Sequence, residues 1–169
     1  MVPLVVGDSY GGGKVAYIFV EDDLGYFEGE THGLIAAEED QSTGVVWAIE
    51  DYQHTAVPDG TLLTIGSGSA NTDAIIAQNG VGITYAAGVA RAYTGGGFSD
   101  WFLPSKDELN KLWLNRETIG GFTSPDGGDY WSSSEHYAGR AWCQVFDDPP
   151  DMVDWFKWQA PRVRAVRYF

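Results

Sequence analysis

The chain has little cysteine, little positive charge and no long apolar run, and each shortage removes a class of protein. Cys143 is the only cysteine in 169 residues. A single thiol cannot form an intrachain disulfide, so the fold must stand on packing. A thiol that acts as a nucleophile needs a histidine beside it. His32 and His54 are distant in sequence, His136 is seven residues away, and no motif frames any of the three. Basic residues number 10 against 24 acids, for a formal net charge of −14. Residues 1–60 hold twelve acids and one base, Lys14. Such a surface repels phosphate backbones, so nucleic acid is not an expected partner. No apolar stretch approaches the roughly 20 residues that span a bilayer, and none has the layout of a signal peptide. The sequence therefore predicts no membrane insertion and no leader of its own. A place on a virion or cell surface would be reached as part of a larger assembly.

What is present suggests one ligand-binding domain over 1–169. Hydrophobic residues make up 44% and aromatics 14%, with 22 Gly and seven Trp. That mixture fits short strands and many turns around large anchors better than a helical bundle. Val2–Val6 and Val15–Val20 read as a strand pair across the turn residues Gly7–Gly13. Lys14 leads into a strand and not a helix, so the Gly11–Gly13 cluster is not a phosphate loop. Leu34–Ala37 and Val45–Ile49 are two further apolar runs. Ser69 as cap and Asn79-Gly80 as stop predict a helix over Asn71–Gln78, and Tyr85–Tyr93 reads as a second.

The clearest local signal follows. Ser105 and Glu108 form a capping box, and Leu109, Leu112, Trp113 and Arg116 recur at the spacing of one buried stripe. Beyond Gly120-Gly121 the chain turns β-like. Tyr130–Glu135 and Ala141–Phe146 read as strands, Asp147–Asp154 as a Pro-containing acidic loop, and Arg162–Phe169 as a closing strand. In that last segment alternation sends Val163 and Ala165 to one face and Arg162 and Arg164 to the other. Arg162, Arg164 and Arg167 are the only basic concentration, for which pairing with the acidic surface is the preferred account. The class is α+β.

Three segments in order carry a resemblance: Trp101–Ser105 with its helix Lys106–Arg116, then Tyr130–Glu135, then Val163–Arg167. Gly7–Tyr10, Gly33–Ala37 and Ala70–Thr72 add weaker matches. Together they resemble the domain typified by the C-terminal domain of the Legionella collagen-like adhesin, and the variable proteins of diversity-generating retroelements. The resemblance implies a C-type-lectin-like fold, with two helices packed on small antiparallel sheets and a long irregular C-terminal binding region. It also implies a homotrimer.

Between Glu135 and Arg162 the chain departs from such relatives in having no Asn. In the retroelement system, randomised adenines in Asn codons reach residues such as those found here. Of the 26 residues from His136 to Pro161, seven lie outside that reachable set: Trp142, Gln144, Met152, Trp155, Lys157, Trp158 and Gln159. These would be a fixed frame, with Trp142 in the core and Trp155 and Trp158 balanced between core and contact. The expected ligand-binding residues are His136, Tyr137, Arg140, Cys143, Val145, Asp147, Asp148, Asp151, Val153, Asp154, Phe156, Trp158 and Ala160. Rigid aromatics supply contact area, and Asp and Arg supply directional polar contacts.

The expected partner is a protein or glycan receptor on a cell surface. The first reading is a diversified receptor-binding display protein; the alternative is a fixed-specificity glycan adhesin or phage tail-tip lectin. A sulfated ligand, which the adhesin resemblance suggests, conflicts with the acidic first half. No catalytic residue and no cofactor are expected. Formylglycine-generating enzymes share the broad architecture but need a pair of reactive cysteines, and no Ser/His/Asp or zinc-type spacing stands out. Asp147, Asp148, Asp151 and Asp154 would suit a calcium cage. The Glu-Pro-Asn and Trp-Asn-Asp motifs of sugar-binding C-type lectins are absent, so a solvated acidic loop is preferred.

Overall fold

The computed structural model describes residues 3–122 and 128–169. Two small antiparallel sheets are joined by helices, an α+β arrangement. The first sheet has the order β1-β2-β3-β7, built from Ser9–Tyr10, Gly13–Ile18, Gly33–Ala36 and Val166–Tyr168. The second has the order β4-β5-β6, from Asp129–Tyr137, Arg140–Val145 and Asp151–Phe156. Among the described residues the helices are α1 (Gly68–Asn79), α2 (Ala86–Ala92), α3 (Lys106–Leu114) and the short α4 (Arg116–Ile119). None is long and apolar enough to cross a membrane.

The central strand β3 explains why two cores form. Its four residues, Gly33-Leu34-Ile35-Ala36, are all buried. Successive side chains leave a strand on opposite faces, so Ile35 enters one cluster with Trp47, Trp101 and Trp131. Leu34 and Ala36 enter the other, with Phe102, Leu109, Leu112, Tyr130 and Phe146. The same alternation sends Trp131 and Tyr130 of β4 to different cores.

The capping box forms as read. Ser105 Oγ accepts from the Glu108 N–H, and Glu108 Oε2 accepts from the Ser105 N–H at 2.7 Å. Glu108 is wholly buried because it also takes the Gly66 N–H at 2.8 Å and the Tyr168 hydroxyl at 2.7 Å. Burial pushes its carboxyl up, against those hydrogen bonds. Leu109 and Leu112 are buried, while Trp113 is partly buried and Arg116 falls in α4, past the end of the helix.

Several boundaries differ from the expectation. α1 begins at Gly68 and not after Ser69, and the residue at its cap, Ser67, makes no side-chain cap bond. Gly68 is required where α1 meets α3, since a Cβ there would lie 2.2 Å from Glu108 Oε2. The N-terminal pair is β1 with β2, across Gly11-Gly12; Val2 lies outside the described residues, and Pro3–Val6 form no strand. The Asp147–Asp154 loop is shorter than read, because β6 starts at Asp151 and pairs with β5 over six consecutive residues. Cross-strand pairing there outweighs the poor strand propensity of Asp. The closing strand is confined to Val166–Tyr168. Ahead of it, Arg162 bridges Tyr130 and Val163 bridges Ser42, tying the two sheets together.

Candidate functional site

Period-two alternation in the second sheet decides which candidate residues share a face. Ala141 and Cys143 point inward, fully buried beside Trp131, with Val153 and Trp155 packed against the same cluster. Arg140, Trp142 and Gln144 point outward, opposite Phe156, Asp154 and Met152 respectively. α3 covers one end of this outer face, where the Gln144 amide donates to Asn110 at 3.0 Å. The other end is left open by α3.

At the open end the side chains form a ladder. Lys106 Nζ lies 3.8 Å from the centroid of the Trp142 ring. The His136 ring stacks between Trp142 at 4.3 Å and Tyr137 at 3.7 Å. His136 Nδ1–H donates to Asp154 Oδ2 at 2.9 Å, and Arg140 donates to the Asp154 carbonyl at 3.1 Å and to Oδ1 at 3.3 Å. Partial burial pushes the Asp154 carboxyl up, but the His136 and Arg140 contacts outweigh it and hold it below the usual carboxylate range. The Arg140 guanidinium rests 4.0 Å over Phe156, which stacks on Trp158 at 5.5 Å and 12°. Tyr137 is 57% exposed, Trp158 53% and Phe156 38%. Three large aromatic surfaces are therefore presented to solvent by a strand pair whose other face is core.

Beneath them lies a buried ion pair that the sequence reading missed. Lys157 Nζ donates to Glu135 Oε1 and to the Thr55 carbonyl, and Glu135 accepts the Val57 N–H. Lys157 has no solvent-exposed side-chain area. Only a lysine inside an aromatic-rich segment hinted at it.

The structure corrects several of the expected contact residues. Cys143 faces the core, and burial holds its thiol well above the ordinary range. Val153 packs on the same core, and Val145 follows the inward phase of Cys143. Trp142, expected in the core, belongs to the outer ladder. Asp147, Asp148 and Asp151 lie at the far end of the β5–β6 hairpin, about 16 Å along the strands from Arg140 at 3.3 Å per residue. There the Asp147 carbonyl accepts from Trp113 Nε1, and Asp148 sits 3.9 Å from Arg116. Ala160 is exposed on the connection that follows β6.

Asp154 is committed to His136 and Arg140, so the four loop carboxylates do not converge. Among the described residues no group of three or more His, Cys, Asp or Glu side chains is placed to hold a metal ion. The three C-terminal arginines pair as preferred. Arg162 and Arg164 meet Asp40, and Arg167 meets Asp100 at 2.7 Å. Arg164 is fully buried and not on a solvent face. The His136–Asp154–Arg140 cluster is separate from the depression of about 600 Å³ between Glu39–Val45 and Ile83–Tyr93, which none of the expected contact residues lines.

No family model and no curated protein matches the chain. A fimbrial protein from Bacteroides ovatus ATCC 8483 has a similar solved structure, with a TM-score of 0.51 at 13% identity. The match covers 80% of this chain and 35% of that one, so the chain spans about a third of the fimbrial protein's length. At that identity the likeness is one of fold alone.

Proposed function

We propose that this chain is a receptor-binding display domain, and that its contact surface is the open outer face of the second sheet. The observation that carries the reading is the exposed ladder of Tyr137, His136, Trp142, Arg140, Phe156 and Trp158 on strands whose inner face is packed core. Trp, Tyr and Arg in a central cluster are the composition that dominates binding energy at protein surfaces. Rigid aromatics lose little entropy when they are covered. The site sits on regular strands, which hold contact residues more firmly than a loop would. Cys143, the one thiol, is buried and protonated, and its side chain faces away from His136, which supports binding over thiol chemistry.

Diversification by a retroelement is the finer form of the proposal. It is tested by sequencing the encoding locus across its natural population. Variation concentrated in codons 136, 137, 140, 154, 156 and 158, with a nearby near-copy and a reverse transcriptase gene, is the expected result. A uniform locus with neither element overturns the diversified reading.

The Phe156–Trp158 pair favours a second reading. Two nearly parallel exposed rings suit the apolar face of a sugar, as in a fixed-specificity adhesin or tail-tip lectin on a cell or virion surface. Capture of one glycan class on an array, lost in Trp158→Ala, would support it.

A further inference from the structure

We propose that the outer edge of β6 is a strand-docking site, where an extended segment of a protein partner adds as a fourth strand to the second sheet. This rests on the binding-face reading above and makes the ligand a polypeptide. Two sheets present four edges, and three are closed. β1 is only two residues long. β7 is bridged by Phe102, which exchanges main-chain bonds with Val166 at 2.8 and 3.0 Å. β4 is covered by Arg162 and Pro104, through Arg162 N–H to the Asp129 carbonyl, Trp131 N–H to the Arg162 carbonyl and Ser133 N–H to the Pro104 carbonyl.

β6 pairs with β5 alone. The Lys157 N–H bonds the Gly139 carbonyl at 3.0 Å, which sets the phase of the ladder. Trp155, Val153 and Asp151 then bond toward β5, while Phe156, Asp154 and Met152 turn their main-chain groups outward. Phe156 spends both groups on Gln159, and the Asp154 carbonyl takes Arg140. The Asp154 N–H and both main-chain groups of Met152 meet no partner among the described residues. Nor does β6 carry the usual edge protection. Its six pairs run without a bulge, and Asp151–Phe156 contains no proline and no lysine.

Charge selects the occupant. A second copy would set Asp151 and Asp154 of both strands side by side on chains of net charge −14, and like charges across a strand pair destabilise it. Asp151 is exposed and has no ion pair among the described residues. Asp154 is already neutralised by His136 and Arg140. The fitting partner strand therefore carries a basic residue opposite Asp151 and apolar residues toward Trp155 and Phe156. A saccharide lacks the alternating N–H and C=O groups that this edge matches.

The test selects random linear dodecapeptides on the intact domain, then measures amide exchange and affinity for those recovered. The expected peptides carry a basic residue near one end and slow exchange at the Met152 and Asp154 amides. They bind Met152→Pro roughly tenfold or more weakly, and Met152→Leu as well as the native chain. Because the Met152 N–H points outward, proline there breaks no β5–β6 bond, which an unchanged melting temperature checks. Independently of that variant, N-methylation of alternate peptide amides abolishes binding in one phase and spares it in the other. Recovery of no peptide, or of peptides indifferent to methylation phase, overturns the strand-docking proposal. Peptides that still bind the edge when His136, Tyr137, Phe156 and Trp158 are all alanine uphold the docking site and remove the broader face reading.

Discussion

Lys157 and Glu135 face each other at 2.5 Å across the underside of the second sheet, both shut off from water. Desolvation pulls the Lys157 ammonium below its usual range, and Glu135 resists that shift. The pair also holds the Thr55 carbonyl and the Val57 N–H, so it ties the chain around residues 55–57 to the strands beneath the site. Removing one partner of a buried pair leaves an uncompensated charge. Glu135→Ala should cost about 3–5 kcal/mol in urea unfolding. The double variant Glu135→Leu/Lys157→Met should lose clearly less than the sum of its two single changes. Additive losses in that cycle would show that the two groups act separately.

Glu108 predicts a pH dependence whose sign can be worked out. Its carboxyl is pushed up in the folded chain, chiefly by burial. A raised carboxyl means that the folded chain holds a proton which the unfolded chain has already released. The contribution of Glu108 is then fully present below the unfolded value of about 4.3, and is lost as pH rises through the folded value. Compared with Glu108→Gln, which cannot titrate, the native chain should gain stability as pH falls from about 8 toward 4. Urea midpoints for the two proteins along that series check it, and a constant difference between them would contradict it.

What the sequence made legible was local. Ser105 and Glu108 are three residues apart, and their capping box depends on nothing distant. Glu135 sits 22 residues from Lys157 and 78 from Val57, a spacing that no periodic pattern marks. Cys143 and Trp142 were legible in principle. Alternation through Arg140-Ala141-Trp142-Cys143 places the small residues inward and the large ones outward, but a tryptophan invites reading as an anchor by size alone. The strand Asp151–Phe156 could not be read locally, because two aspartates and a preceding Pro-Pro signal a loop, and only pairing with β5 overrides them. The acidic loop and the aromatic face looked like one site in sequence; the extended hairpin separates them to opposite ends.

The two faces of that hairpin should respond differently to truncation. Replacing His136, Tyr137, Phe156 and Trp158 together by alanine removes exposed or half-exposed rings and breaks no buried contact except the His136–Asp154 bond. Each change should cost about 0.5 kcal/mol or less apart from His136, so the melting temperature should move by only a few degrees. Trp131→Ala on the inner face is the contrast. Its ring is fully buried and its Nε1–H donates to the Val45 carbonyl at 2.8 Å, so about 3–5 kcal/mol should be lost. Comparable losses from the two variants would mean that the outer ladder is structural.

Cys143 supplies a test of which positions tolerate diversity. Its side chain is sealed among Ala141, Trp131 and Val153, and burial keeps the thiol protonated. The thiolate is the reactive form, so iodoacetamide should leave the native chain unlabelled and modify Cys143 only as the domain unfolds. Labelling should then follow the same denaturant curve as the loss of fluorescence from the seven tryptophans. Labelling well before that transition would place the thiol in a locally opening segment. The same burial limits exchange at this codon. Ala or Val fits an apolar niche with modest loss, whereas His, Arg or Asp would bury an unpaired polar or charged group. In a population of variants, position 143 should therefore hold small apolar residues while 137 and 156, on the open face, accept charged ones.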